Sequence, residues 1–306
     1  MGNKPLARAF AWPRRSALPW RLWLERFQVV LMLAPALAVI GVLFMGGLAL
    51  ALTQSLGYLP LIGRNEWSLQ AYRQIFSQES FYRSVGLTLW ISLASTVLST
   101  ILALVSVLTL RQWASRRPWL SFLFQLNIPI PHLVGAIGIL FLFSQSGWLA
   151  RLAYHLGLIG EPADFPAVVY DPYAIGIILE YVWKETFFIG LILLAMLQAM
   201  GEDYENVART LGANRWQRFW YVLLPLLRPG ILSTSVLVFA FSFGAFEVPL
   251  LLGQRYPSAL PVLAYRYYTD ADLNARAEAM AVSVIITITI TVLVVIYLKL
   301  GRREAW

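Results

Sequence analysis

The run AMAVSVIITITITVLVVIYLKLG, Ala279 to Gly301, decides the fold class. Its Val, Ile and Thr side chains favour a β-strand in water. Yet it supplies the roughly 20 mostly apolar residues that an α-helix needs to cross a hydrocarbon core of about 30 Å. In lipid every backbone N–H and C=O must be satisfied internally, and that requirement decides for a helix. Thr287, Thr289 and Thr291 can then bond back to the preceding turn.

Five further runs share this character, within a 306-residue chain that is 59% hydrophobic and 13% charged, with a mean hydropathy of +0.65. They are Phe27 to Thr53, Val85 to Leu110, Trp119 to Gln145, Tyr173 to Met200 and Gly230 to Gly253. The expectation is an all-α polytopic membrane protein with six transmembrane helices, the third and fifth interrupted by proline. The absence of cysteine excludes disulfides, thiolate nucleophiles and thiolate-held metals. No P-loop, H-E-x-x-H or G-x-S-x-G motif occurs, so no catalytic residue is assigned and an enzyme is poorly supported. His132 and His155 stand alone, with no carboxylate at ligand spacing, and no metal site is expected.

Charge sets the orientation. On the six-span reading, 16 of the 24 Lys and Arg fall on one side, seven on the other, and Lys184 lies within a span. By the positive-inside rule both termini are cytoplasmic. The net charge of +8 is thereby explained without nucleic acid as a partner. The expected organisation is a basic cytoplasmic segment at 1–26, a first helix and external segment at 27–84, a transmembrane core at 85–298 containing a cytoplasmic loop at 201–229, and a tail at 299–306. The apolar run after the basic N-terminus is too long for a signal-peptide core, so the first span is read as uncleaved. Gly2 opens a myristoylation pattern that Leu6 breaks.

External segments are expected at Gln54 to Ser84, where the aromatics suit an interfacial helix, at Ser146 to Pro172, with a short helix in GWLARLAYHL, and at Gln254 to Glu278. Inside the spans, several groups are out of place in lipid. Pro129 and Pro131 remove two backbone donors, forcing a break that only protein or a water-lined cavity satisfies. Glu180, Lys184 and Glu185 share one helical stretch. A charge at mid-span costs about 2.5 to 3.5 kcal/mol on insertion scales. Glu180 and Lys184 are spaced for an i,i+4 ion pair, while Glu185 is a candidate on the solute path. Glu247 precedes Pro249 by two residues, at a second expected break deep in the fifth span. These residues are the candidate translocation path.

The most specific stretch is ENVARTLGANRWQRFWYVLLPLLRPG, Glu205 to Gly230, polar and basic between two apolar runs. GEDYENVARTLG reads as a short helix, with Glu202, Asp203 and Glu205 at its positive end and Gly212 as its stop. Ala213 and Asn214 turn the chain into a second helical run. Pro225 and Pro229 set the angle into the fifth span. Ala208, Val207 and Leu211 suit insertion into a partner's groove.

Here the chain resembles the inner-membrane permeases of binding-protein-dependent ABC importers, type I, whose cytoplasmic signature is E-A-A-x3-G-x9-I-x-L-P. It is matched by Asn206, Val207 and Ala208, then Gly212, then Val222, Leu223, Leu224 and Pro225, complete in spacing over 20 positions. Asn206, Val207 and Val222 depart from the consensus. Glu205 lies one place before the motif glutamate, so no ion pair of that position is carried over. The likeness runs from about Val85 to Leu298.

The resemblance implies that this loop is a coupling helix docking on a separate ATPase. ATP and Mg would be bound by that subunit, and no cofactor by this chain. It further implies a second permease subunit, read as forming a heterodimer, an external solute-binding protein, membrane lipid around the chain, and residence in a bacterial inner membrane. TLGA, PIPHLVGAIG and FGAFEVPLLLG resemble the polyamine, iron, sulfate and thiamine branch, WKETFF the sugar branch. The three glutamates favour polyamine, with ferric iron, sulfate, thiamine or sugar as alternatives. An ion-coupled secondary transporter is the competing class, although no repeat in two halves is evident.

Overall fold

The computed structural model describes residues 19–114, 122, 124–201 and 203–303. The residues before 19, Arg116, Arg117, Glu202 and the last three residues lie outside the described set. Among the described residues the structure is helical, with no strand and a single isolated bridge between Leu59 and Arg64. The chain divides into two units, Met1–Leu50 and Ala51–Trp306.

The first unit holds α1 (Pro19–Ile40), a π turn at Gly41–Met45 and the first half of α2 (Gly46–Ser55), whose last residues, from Ala51, are counted with the second. The helical run Phe27–Ser55 is 29 residues long and strongly apolar. Pro35 sits inside it.

In the second unit, α3 (Gln70–Ser77) is the helix expected among the aromatics after the first span. Ile75 on α3 and the nearby Phe81 pack with Phe243, Leu260 and Val282 in one hydrophobic cluster. The long helix α4 (Glu79–Ala114) follows. Its 36 residues span about 54 Å at 1.5 Å per residue. One face of α4 is a ladder of small hydroxyl residues. Thr88 donates to Ser84 O at 2.7 Å, Ser92 to Thr88 O at 2.8 Å and Ser99 to Ser95 O at 2.6 Å, and Ser95 donates to Ile91 O. These four hydroxyls are satisfied within their own helix, which offsets the cost of burying them and lets neighbouring helices approach closely, while Thr96 Oγ1 on the same helix is buried without a partner.

Two of these hydroxyl-rich turns also reach across. The backbone N–H of Leu260 donates to Thr88 Oγ1 at 2.8 Å, and the hydroxyls of Thr100 and Ser235 lie 3.1 Å apart. They tie α4 to α12 (Leu260–Tyr268) and α10 (Leu224–Gly244).

The third span is interrupted at its prolines, as expected, but its bounds differ. The helix proper is α5 (His132–Phe143), beginning only after the prolines and followed by a short turn and α6 (Trp148–His155). The membrane-length run is His132–His155 rather than Trp119 to Gln145. Pro129 and Pro131 can neither donate nor admit a helical predecessor, so the helical turn at 124–126 stops before them and α5 starts after them.

The fourth span is α7 (Ile175–Met200), started by Asp171, whose carboxylate accepts from Tyr173 N at 2.9 Å and Ile175 N at 2.8 Å. Its 26 residues suffice to cross a bilayer. By length and composition five helices qualify among the described residues, and α7, which carries Glu180, Lys184 and Glu185, is not one of them.

The fifth span is also corrected. α10 contains Pro229 and ends at Gly244. The break lies at Ala245, which is extended, and Phe246, and α11 (Glu247–Leu252) follows. Pro249 is in the first turn of α11, where no intrahelical donor is needed, so it permits that helix to start and does not itself make the break. α13 (Ala275–Arg303) completes the fold, and Thr287, Thr289 and Thr291 donate to carbonyls four residues back at 2.9, 2.8 and 2.7 Å.

Candidate functional site

The site is built around the helix break at Asn127–Pro131. A helical Asn127 carbonyl would accept from residue 131, and Pro131 has no proton to give. Lys184 supplies it instead. Its Nζ donates to Asn127 O at 2.6 Å and to Ile130 O at 2.5 Å. Asn127 returns the contact through Nδ2, which donates to Trp183 O at 3.3 Å. A buried ammonium thus stands in for the amide proton that Pro131 lacks and for the one that Val134 gives to Pro131 O, and a charge that lipid would reject is solvated by backbone dipoles.

The same side of α7 approaches the first turns of α5 closely. A Cβ on Gly135 would lie 2.8 Å from the Trp183 ring and 2.9 Å from Glu180 Oε1, so glycine is what permits this spacing. His132, the first residue of α5, places Nδ1 3.1 and 3.2 Å from the two carboxylate oxygens of the fully buried Glu180. Its Nε2 is 3.8 Å from Glu185 Oε1. The imidazole lies against Phe241, at 4.7 Å between ring centres, and is met by the edge of Tyr181 at 6.0 Å.

A cavity of about 500 Å³ opens beside this cluster. It is lined by the break itself with His132, by Lys184, Glu185 and Phe188 of α7, and by Leu237, Val238 and Phe241 of α10. The expected path residues Pro129, Pro131, Lys184 and Glu185 therefore converge, with Glu180 just behind His132.

Two expectations are corrected. Glu180 and Lys184 do not pair as i,i+4 partners: Lys184 turns to the proton-starved carbonyls and Glu180 to His132. Such pairs suit a solvated helix face, whereas this face packs on the break. Glu247 is exposed at the start of α11 and does not line the cavity, while Pro249 is buried nearby in the chain. The residue that sequence reading missed is His132. Its one signal was its place directly after P-I-P, since Glu180 and Glu185 are remote in the chain.

The loop between α7 and α10 forms a second candidate surface. It holds α8 (Asp203–Thr210) and α9 (Arg215–Arg218). Gly212, at φ +82°, makes the left-handed turn that ends α8. Asn214 caps α9 in a reciprocal box: its side chain accepts from Gln217 N at 2.9 Å and its N–H donates to Gln217 Oε1 at 2.8 Å. Arg218 reaches back to Glu205 at 3.1 Å, joining the two short helices.

From Arg215 the helix runs without interruption to Gly244, passing a π turn at Phe219–Leu223, so Pro225 and Pro229 do not break it. Val222 and Leu224 are partly covered here and Pro225 is exposed. Val207 and Leu211 are 59% and 82% exposed, and Asn206 is exposed with them, but Ala208 is only 8% exposed. The expectation that Ala208 points outward is thus corrected. Its methyl is covered by this chain, and Ala213 N donates to its carbonyl at 3.0 Å.

This arrangement, helices around a broken span with a capped helical loop at the end of a continuous rod, belongs to a known class of membrane component. Residues 110–303 match the family of binding-protein-dependent transport system inner membrane components, and the chain belongs to it. The resemblance to type I ABC importer permeases is thereby confirmed.

Among its relatives, the molybdenum transport system permease protein ModB of Mycobacterium tuberculosis is 32% identical over 58% of this chain and 66% of its own length. The probable sulfate transport system permease protein cysT of Marchantia polymorpha is 26% identical over 56% of this chain and 57% of its own. The thiamine transport system permease protein ThiP of Salmonella typhimurium is 30% identical over 67% and 37%. This chain therefore spans less than two thirds of the length of these relatives. A bacterial ABC transporter involved in the import of the acidic polysaccharide alginate has the same fold, with a TM-score of 0.77, 19% identity and coverage of 94% of this chain and 99% of that one.

Proposed function

We propose that the chain is a permease subunit of an ATP-driven importer, forming part of the passage for a small solute delivered by an external binding protein. The observation that carries this reading is the rod Arg215–Gly244, which begins in the capped loop and ends beside the cavity wall at Leu237, Val238 and Phe241. A force applied to α8 and α9 has a rigid route to the broken span. The exposed Val207 and Leu211 offer an apolar contact for a separate ATPase, which would bind ATP and Mg.

On this reading the loop faces the cytoplasm of a bacterial inner membrane, both termini lie on that side, and a second, non-identical permease completes the passage. The solute we infer is a polyamine, supported by the carboxylates in and beside the cavity. The relatives, named for sulfate, molybdenum and thiamine, leave the branch open.

The test is purification of the full chain from its native membrane. Copurification of a P-loop ATPase, lost when Val207 and Leu211 are both replaced by Asp, is the expected result. An unpartnered chain whose uptake activity survives ATP depletion and collapses with the proton gradient would overturn the assignment.

A further inference from the structure

Among the described residues, two carboxylates, an ammonium and an imidazole meet at the break, and three of these four are engaged. Lys184 is committed to two carbonyls, and Glu180 and His132 to one another. Glu185 remains. Its side chain is 8% exposed and lines the cavity, and no hydrogen bond among the described residues reaches its carboxylate. Its ion-pair contact is with His132 Nε2 at 3.8 Å, beyond hydrogen-bond range.

When ionised, Glu185 carries a charge with no hydrogen-bond donor on it among the described residues, in a largely dehydrated place. Such a charge is costly unless something pairs with it. The remaining wall is apolar and aromatic, including Leu237, Phe188 and Phe241. Aromatic faces attract cations as well as apolar stems. An anion would find two of the three Lys184 protons committed to carbonyls and a carboxylate facing it.

The geometry points to a binding subsite for one organic cation, with its charged nitrogen on the Glu185 carboxylate and its carbon skeleton against the α10 wall. This rests on the cavity being part of the solute passage. Both a protonated aliphatic amine and a thiazolium ring have the required chemistry.

The experiment uses the full chain, reconstituted in lipid with whatever subunits copurify, and measures equilibrium binding of labelled spermidine and of labelled thiamine. Saturable binding of one cation is expected, and which one binds tells amine from thiazolium. Unlabelled sulfate and maltose should not compete. Glu185→Gln should weaken binding by at least about tenfold, as loss of one partner of a buried charged contact does, and Glu185→Asp should retain most of it.

Should Glu185→Gln melt at a markedly lower temperature, Leu237→Arg provides the second variant. It introduces a fixed cation into the same cavity and should also suppress binding. Failure of both cations to bind, binding unchanged in Glu185→Gln or, where that variant is unstable, in Leu237→Arg, or competition by sulfate or maltose would overturn the subsite. Retained ATPase copurification in the same preparations reports on the importer assignment separately.

Discussion

Lys184 Nζ lies 2.6 Å from the carbonyl oxygen of Asn127, 57 residues away in the chain, and this contact fastens the charged helix α7 to the segment that two prolines have stripped of donors. The ammonium is 7% exposed by residue, so the contact is an interior one.

Removal of that ammonium strands the Ile130 carbonyl and leaves Asn127 O only the long bond from Ile130 N at 3.3 Å. Lys184→Met keeps the length of the side chain and loses every donor, at a cost of about 1 to 3 kcal/mol per buried unsatisfied group. Thermal unfolding of the detergent-solubilised protein should show a clearly lowered midpoint. A midpoint equal to that of the parent would show that Lys184 does not hold the break.

Gly135 controls the approach of α5 to α7. In Gly135→Ala the new methyl would meet the Trp183 ring at 2.8 Å and Glu180 Oε1 at 2.9 Å. Overpacking of this kind typically costs about 1 to 3 kcal/mol, and displacement of Glu180 should also disturb His132. Lower thermal stability together with reduced uptake is expected. Gly138→Ala, with nothing within 4 Å of the added carbon, serves as the control and should behave as the parent.

Gly212 tests the loop without touching the cavity. Its φ of +82° strains a β-branched residue, so Gly212→Val should distort the end of α8, by about 1 to 2 kcal/mol. Gly212→Asn should be milder, since asparagine tolerates the left-handed region. On the importer reading, ATPase copurification should fall in the first variant and persist in the second.

Asn214 and the Glu205–Arg218 contact hold α8 and α9 together by different means. Asn214→Ala removes a helix cap, worth about 1 kcal/mol. The partly exposed ion pair is worth less, within about 1 kcal/mol. Limited proteolysis should therefore cut the loop faster in Asn214→Ala than in Arg218→Gln. The reverse order would show that the ion pair, and not the cap, sets the loop's rigidity.

The parts of the fold that were legible in the sequence are those governed by local rules. The Ala279 run had to be helical because lipid offers no partner for its backbone, and the threonine back-bonds follow from that helix. The loop signature is a matter of spacing, so Gly212 and the turn at Asn214 could be placed from sequence. The charged cluster was legible only as a set of residues. Whether Lys184 faces Glu180 or Asn127 depends on which helix packs on α7, and that is a long-range fact with no sequence period. The same reason hides His132, whose partners lie 48 and 53 positions further on. Ala208 was misread because a short amphipathic helix does not announce which face its own chain will cover.

The π turn at Phe219–Leu223 sits within the rod, between the loop surface and the cavity wall. A π turn accommodates an extra residue in an otherwise α-helical stretch, and one residue is about 100° of helical phase. The azimuth at which Leu237 and Phe241 point is therefore set relative to the loop by this one irregularity. Deleting a single residue there would leave a longer regular helix whose upper half is rotated by more than a quarter-circle. Indexing of this kind lets a transmission part keep its contacts at one end while its cam face at the other is recut.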